Sequence, residues 1–129
     1  MSEKPGITDV AIALVRRGDC FLVGVRESGR ALAGHDEFPG GKCGPGESPE
    51  DCAVRECREE TGVPVRVLRL RRLAEHQYPH GRVRLHFFDC EPLADFQPIP
   101  PFRWLPREQL PRLRFPDANA TLVEELMRE

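Results

Sequence analysis

Residues 41–63 read GKCGPGESPEDCAVRECREETGV, and the rest of the chain is best understood outward from this stretch. Gly44-Pro45-Gly46 forces a turn, since glycine reaches backbone angles that other residues avoid and proline fixes its own. A helix is expected directly after it. Ser48 suits the N-cap, Pro49 the first helical position, and Glu50 and Asp51 the positive end of the helix dipole. Residues 49–61 contain no internal Gly or Pro, and Gly62 followed by Pro64 stops the helix. Within it Glu56, Glu59 and Glu60 stand at i, i+3 and i+4, which places three carboxylates on one face. Val54, Cys57 and Thr61, with Ala53 at the edge, form the side expected to pack on a sheet. Arg55 belongs to neither face. Its candidate partners are Asp51 or Glu59 in a surface ion pair, or Glu47, through which it would strut the preceding loop.

Like charges clustered on a helix destabilise it by a few tenths of a kcal/mol per pair. On spacing alone the acidic face is either a solvated surface or a cation site. Mg²⁺ or Mn²⁺ prefers carboxylate and water oxygens. Such ions usually serve phosphate chemistry, where they neutralise charge and activate water.

On the N-terminal side, residues 7–16 alternate Val10, Ile12 and Leu14 with smaller neighbours, as a strand does, and residues 20–26 form a second strand after a turn at Arg17-Gly18-Asp19. The two are expected to pair as a hairpin. Residues 27–36 resemble a loop, and Glu37 to Gly41 a short extended piece breaking into a turn. On the C-terminal side Val65, Val67, Leu70 and Leu73 lie among arginines, as in a strand with one solvated face. Residues 82–90 alternate Val83, Leu85 and Phe87 with Arg and His, so His86 is expected on a solvated face. Residues 91–101 form a proline-containing loop, residues 102–105 a short strand, and residues 117–128 a helix with Asp117 as its cap. The order β-β-loop-α-β-β-β-α predicts an α/β (α+β) domain, a mixed sheet packed between helices.

A chain of 129 residues is expected to form one domain. The net charge of −2 and pI near 6.1 argue against a nucleic acid polymer as partner. No run approaches the ~18 apolar residues that cross a bilayer, and residues 1–10 show no cleavable leader, so a cytoplasmic protein without a membrane partner is expected. Five cysteines without a C-x-x-C pair suggest reduced, mostly buried thiols.

The 41–63 stretch also resembles the Nudix signature, G-x5-E-x7-R-E-U-x-E-E-x-G-U. Gly41, Glu47, Arg55, Glu56, Glu59, Glu60 and Gly62 stand at its fixed positions, Val63 at one apolar position and Cys57, a mild departure, at the other. The resemblance implies the Nudix fold over nearly the whole chain and hydrolysis of a phosphoanhydride in a nucleotide substrate. It implies Glu56, Glu59, Glu60 and the Gly40 carbonyl as ligands of Mg²⁺, with Mn²⁺ as its substitute, and Glu47 and Arg55 as the tie between loop and helix. Lys42 and Arg26 become candidate phosphate contacts, because cations beside a transferred phosphoryl group offset developing charge.

Outside the signature, Glu37-Phe38-Pro39-Gly40-Gly41-Lys42 is similar to the EFPGGK of MutT-type members. Phe115-Pro116-Asp117-Ala118-Asn119 resembles the FPPAN run of the MutT 8-oxo-dGTPases. By that resemblance Asn119 would read a purine edge with its donor and acceptor, and Phe38 would stack or pack against the base. Asn119 is alternatively a helix-start cap. Tyr78-Pro79-His80-Gly81 keeps the aromatic and the proline of a nucleotide-touching stretch but not its charged pair, which makes Tyr78 a candidate, with His76 and His80 close by. The late acidic residue of that group is absent before Trp104, where Arg103 stands, so either Glu47, Glu91 or Asp95 replaces it as ligand or base, or the chemistry is slower. The expected reaction converts a (deoxy)nucleoside triphosphate, oxidised guanine nucleotide among the candidates, to monophosphate and pyrophosphate. The alternatives are a pyrophosphatase for ADP-ribose, a nucleotide sugar or a dinucleotide, and a non-catalytic nucleotide sensor. The protein would be a monomer or homodimer.

Overall fold

A strand that alternates large and small apolar residues buries both faces, and Ile7–Arg17 (β1) does so. In the computed structural model, which describes residues 6–26, 29, 33–79 and 81–129 with the side chains of Asp117 and Ala118 excepted, β1 is the axis of the sheet. It runs parallel to Gly81–Pro92 (β6), from Ile7 opposite Arg82 to Val15 opposite Cys90. Its other edge is shared between two partners. Cys20–Val25 (β2) pairs with it only at Arg16 and Arg17, while Val10, Ala11 and Ile12 pair with Gly40–Lys42 (β4). The expected hairpin is therefore short. β2 splays away to pair with Asp36–Glu37 (β3) and Arg103–Pro106 (β7), and Val65–Tyr78 (β5) closes the far edge against β6. One parallel pair among antiparallel ones makes the sheet mixed, as expected.

The helix Pro49–Thr61 (α1) forms as its caps dictate. The Ser48 hydroxyl accepts from the Asp51 amide at 3.1 Å, and Gly62, at φ 77°, donates to the Arg58 carbonyl. Its buried side is Cys52, Ala53, Cys57 and Thr61, with Val54 half-buried and packed against the same cluster as expected; Cys52 joins them. This side packs on Ala11, Ala13, Val15, Leu22, Phe88 and Cys90. Two alanines on β1 let the helix lie close. The opposite face of the sheet, with Leu14, Phe21, Val23, Leu85 and Phe87, is covered by a 3-10 helix at Arg107–Arg112 and by Asp117–Met127 (α2) through Leu110, Leu122, Val123 and Leu126. Each such side chain contributes about 1.5–3 kcal/mol on burial. The sheet is thus sandwiched between helices. Among the described residues no helix is long and apolar enough to cross a membrane.

Three local expectations are corrected. On β5, Leu70 and Leu73 are exposed, whereas Arg71, its side chain only 6% exposed, turns inward to pair with Asp89, Glu125 and Glu129. Register shifts between Val67 and Arg69 and between Leu70 and Arg72 keep Val65, Val67, Leu70 and Leu73 opposite Pro92, Cys90, Phe88 and His86, on one face of the sheet, while Arg71 stands at the second shift and takes the other face. His86 is not on a solvated face; it lies stacked beside Phe88 and is hydrogen-bonded to Asp9 at 2.9 Å. At α2 the cap position belongs to Pro116, and Asp117 is the first helical residue.

Candidate active site

Two successive glycines bring β4 between β1 and α1. A Cβ on Gly40 would lie 2.4 Å from the Ala11 carbonyl oxygen, and one on Gly41 would lie 2.0 Å from Glu56 Oε2. At Gly40 the atoms met are backbone, so only glycine fits, whereas at Gly41 it is the end of the Glu56 side chain that would have to move. The Gly40 amide donates to Glu60 Oε1 at 2.9 Å, and the Cys52 thiol donates to the Gly41 carbonyl at 3.4 Å.

Arg55 is the hub of the cluster. Its guanidinium grips Glu47 in a two-pronged fork, Nε to Oε2 at 2.7 Å and Nη2 to Oε1 at 3.0 Å. Nη1 donates to Glu56 Oε1 at 2.8 Å and to Glu59 Oε1 at 2.9 Å, and Nη2 to the Lys42 carbonyl at 3.2 Å. Of the partners weighed from sequence, Arg55 engages both Glu47 and Glu59. Glu47 also accepts from the Gly44 amide at 2.9 Å, so one carboxylate joins the turn to the helix. The Arg55 hydrogen bonds, followed by the Gly44 amide, hold the Glu47 carboxyl at about 2, below its ordinary value of 4.5. A carboxylate depressed in the folded state adds stability that is complete above its unfolded value and vanishes as pH falls through the folded one. Glu47→Gln should therefore lower resistance to urea at pH 6, with the difference from the wild type shrinking as pH falls from about 4.5 towards 2. Paired urea titrations across that range test it; a gap unchanged at pH 2 would show that the fork adds nothing through its charge.

Glu56 and Glu59 thus converge on one nitrogen, while Glu60 turns to β4. Among the described residues no three His, Cys, Asp or Glu side chains already form a cage. The donor chemistry nonetheless fits a hard divalent ion: anionic oxygens from one helical turn, the outermost of them, Glu59, with a side chain 58% exposed, beside the bare backbone of Gly41, where a Cβ would meet Glu56.

The other candidates stand on several different elements. Phe38 is buried and stacks on Phe115, ring centroids 4.8 Å apart and planes 14° apart. Asn119 lies in the first turn of α2, 9% exposed; its amide donates to the Pro116 carbonyl, and among the described residues its side chain is not a cap. Arg26, at the end of β2, pairs with Glu37 at 3.4 Å. Lys42 ends β4 with an exposed side chain. Tyr78, by contrast, stands at the tip of the β5–β6 hairpin, opposite Gly81 and beside His76; His80 lies outside the described residues. Of the stand-ins for the late acid, Glu91 pairs with Arg66 and Asp95 with Arg17. Sequence reasoning passed over Asp36 and Glu37, two buried carboxylates in β3. Asp36 bonds Arg114, 78 positions away, so no local pattern announced it.

Residues 6–126 match the NUDIX domain family. The chain belongs to the Nudix family. This Nudix hydrolase is 30% identical over 125 residues to an 8-oxo-dGTP diphosphatase of Escherichia coli (strain K12), covering 92% of the chain and 95% of that protein. It is 33% identical over 126 residues to an NAD-capped RNA hydrolase of Pseudomonas syringae, covering 95% of the chain but 44% of that protein. The crystal structure of a MutT protein from Methanosarcina mazei superposes with a TM-score of 0.80 at 24% identity, over 98% of this chain and 97% of that one, a likeness of fold. The Nudix hydrolase's five cysteines are free thiols. Burial pushes Cys52 and Cys90 up to about 12 and Cys57 up to about 11, so these three stay protonated and unreactive.

Proposed function

We propose that this Nudix hydrolase converts a (deoxy)nucleoside triphosphate to the monophosphate and pyrophosphate, with oxidised guanine nucleotide its preferred substrate. The observation that carries the reading is the convergence of Glu56 and Glu59 on Arg55 against the bare backbone of Gly41. Glu56, Glu59, Glu60 and the Gly40 carbonyl would hold Mg²⁺ or Mn²⁺. When bound, the ion supplies charge neutralisation at the phosphates and polarisation of the attacking water. The fork from Arg55 to Glu47 keeps the turn and the helix in one arrangement, so the carboxylates meet the substrate preorganised. Lys42 and Arg26 offset charge on the phosphates. The Phe38–Phe115 stack gives the base an apolar wall, and Asn119 reads its edge. The name of the E. coli relative supports the oxidised guanine, and a nearly full-length match supports a small triphosphate.

A second reading has support from the Pseudomonas relative: a dinucleotide or other diphosphate-linked compound. One assay separates the two. Purified protein with Mg²⁺ is given oxidised and normal nucleoside triphosphates, ADP-ribose, a nucleotide sugar and a dinucleotide, and released pyrophosphate and monophosphate are quantified. The oxidised guanine triphosphate should give the highest kcat/KM, and Asn119→Ala should narrow its lead by about tenfold, the value of one or two hydrogen bonds in a partly buried site. Equal rates for all bases would remove the guanine reading, and faster cleavage of the diphosphate-linked compounds would favour the second.

A further inference from the structure

A buried carboxylate is costly unless a donor meets it. Asp36 is 9% exposed, and what meets it is main chain from the far end of the molecule. Its Oδ2 accepts from the Arg114 amide at 2.7 Å, and its own amide donates to the Arg114 carbonyl at 2.9 Å. Two bonds between the same two residues fix orientation as well as distance. Arg114 lies in the irregular stretch between the 3-10 helix and α2. The next residue, Phe115, lies flat on Phe38, two positions after Asp36. Asn119 follows within one turn, its amide tied to the Pro116 carbonyl at 2.8 Å. The later part of α2 is anchored independently, through Leu122, Val123 and Leu126 in the core. The start of the helix therefore depends on β3. With β3 only two residues long and paired to β2 at Gly24 and Val25, this clamp and the Phe38–Phe115 stack together join the entry of α2 to the strand leading into the phosphate-side glycines, and of the two only the clamp fixes the main chain by hydrogen bonds.

We propose that Asp36 is a positioning residue for base selection: it clamps the entry of α2 to β3 and so sets where Asn119 meets the base. The inference rests on the triphosphate reading above and concerns which base is chosen, not which bond is cut. A clamp of this kind acts on the ratio of kcat/KM between two bases. A purely structural loss lowers the folded fraction and cancels from that ratio.

The test measures kcat/KM for oxidised guanine triphosphate and for a pyrimidine triphosphate in the wild type and in Asp36→Ala, Asp36→Asn and Asn119→Ala. Asp36→Ala should lower the ratio about tenfold, chiefly through KM for the guanine substrate, with kcat for the pyrimidine nearly unchanged. Asp36→Asn retains a carbonyl acceptor for the Arg114 amide and should keep most of the ratio. Amide exchange at Arg114 should be slow in the wild type and in Asp36→Asn, and fast in Asp36→Ala. If Asp36→Ala does not fold, Asp36→Ser, whose hydroxyl is too short to span the gap, takes its place. A folded Asp36→Ala that keeps the wild-type ratio while Asn119→Ala loses it would overturn the clamp and leave the base reading intact. So would an Asp36→Asn that behaves like Asp36→Ala. An Asn119→Ala that leaves the ratio unchanged would sink the base reading, and this inference with it.

Discussion

Glu59→Gln is expected to lower kcat on the order of 10²–10⁴-fold, the scale on which one positioned charge or proton-handling group acts in catalysis. The fold should hardly register it. The Glu59 side chain is 58% exposed, and its bond to Arg55 at 2.9 Å is an i, i+4 surface pair, a class that contributes about 0.3–0.5 kcal/mol. Arg55 would keep Glu47 and Glu56, so the turn would stay joined to the helix. Glutamine has the same shape but replaces an anionic oxygen with an amide, and a hard divalent ion discriminates strongly between the two. The measurement pairs steady-state turnover with Mn²⁺ binding followed by electron paramagnetic resonance. Turnover and ion affinity should fall together while thermal unfolding stays put. Full activity in Glu59→Gln would remove this residue from the chemistry and with it the ligand set proposed here.

The second large effect is expected at Gly41, where the geometry separates activity from stability. A methyl group there would sit 2.0 Å from Glu56 Oε2 and 2.5 Å from its Cδ, distances no real Cβ tolerates. What must yield is the end of a flexible side chain, and Gly41 does not have a positive φ, so alanine is an allowed residue at that point of β4. Gly41→Ala should therefore cost under about 1 kcal/mol in stability yet drive the Glu56 carboxylate off its place beside Arg55. Displacing a reacting group by an ångström or so is expected to cost about 10²-fold in kcat/KM. Gly40→Ala provides the contrast. Its Cβ would meet the Ala11 carbonyl oxygen at 2.4 Å and Ile12 Cα at 2.9 Å, backbone atoms that cannot swing aside, so its first effect should be on unfolding. Urea titration and kcat/KM on both variants test the separation, and a folded Gly41→Ala with wild-type rates would show that the position of Glu56 is immaterial.

Legibility followed locality. The cap at Ser48, the stop at Gly62 and the grouping of Glu56, Glu59 and Glu60 depend on residues a few positions apart, and the helix formed as those residues require. The strand parity of β1 was equally plain. β5 misled because its alternation is broken twice by register shifts, and a bulge leaves no dependable mark in composition. Leu70 and Leu73 are exposed although they share a face with Val65 and Val67, and Arg71, at the second shift, goes inside to meet Asp89.

What the chain determined by itself was its family, the acidic helix and the glycine-framed turn before it, because hydrogen bonds and steric limits acting within one or two helical turns are written in adjacent residues. What only the tertiary structure decided was how β4 slips between β1 and α1, which of its possible partners Arg55 takes, and that Asp36 holds Arg114. Those contacts join segments brought together by burial of the shared core. A carboxylate accepting a main-chain N–H from 78 residues away asks nothing of its sequence neighbours, so nothing near it could have foretold the bond.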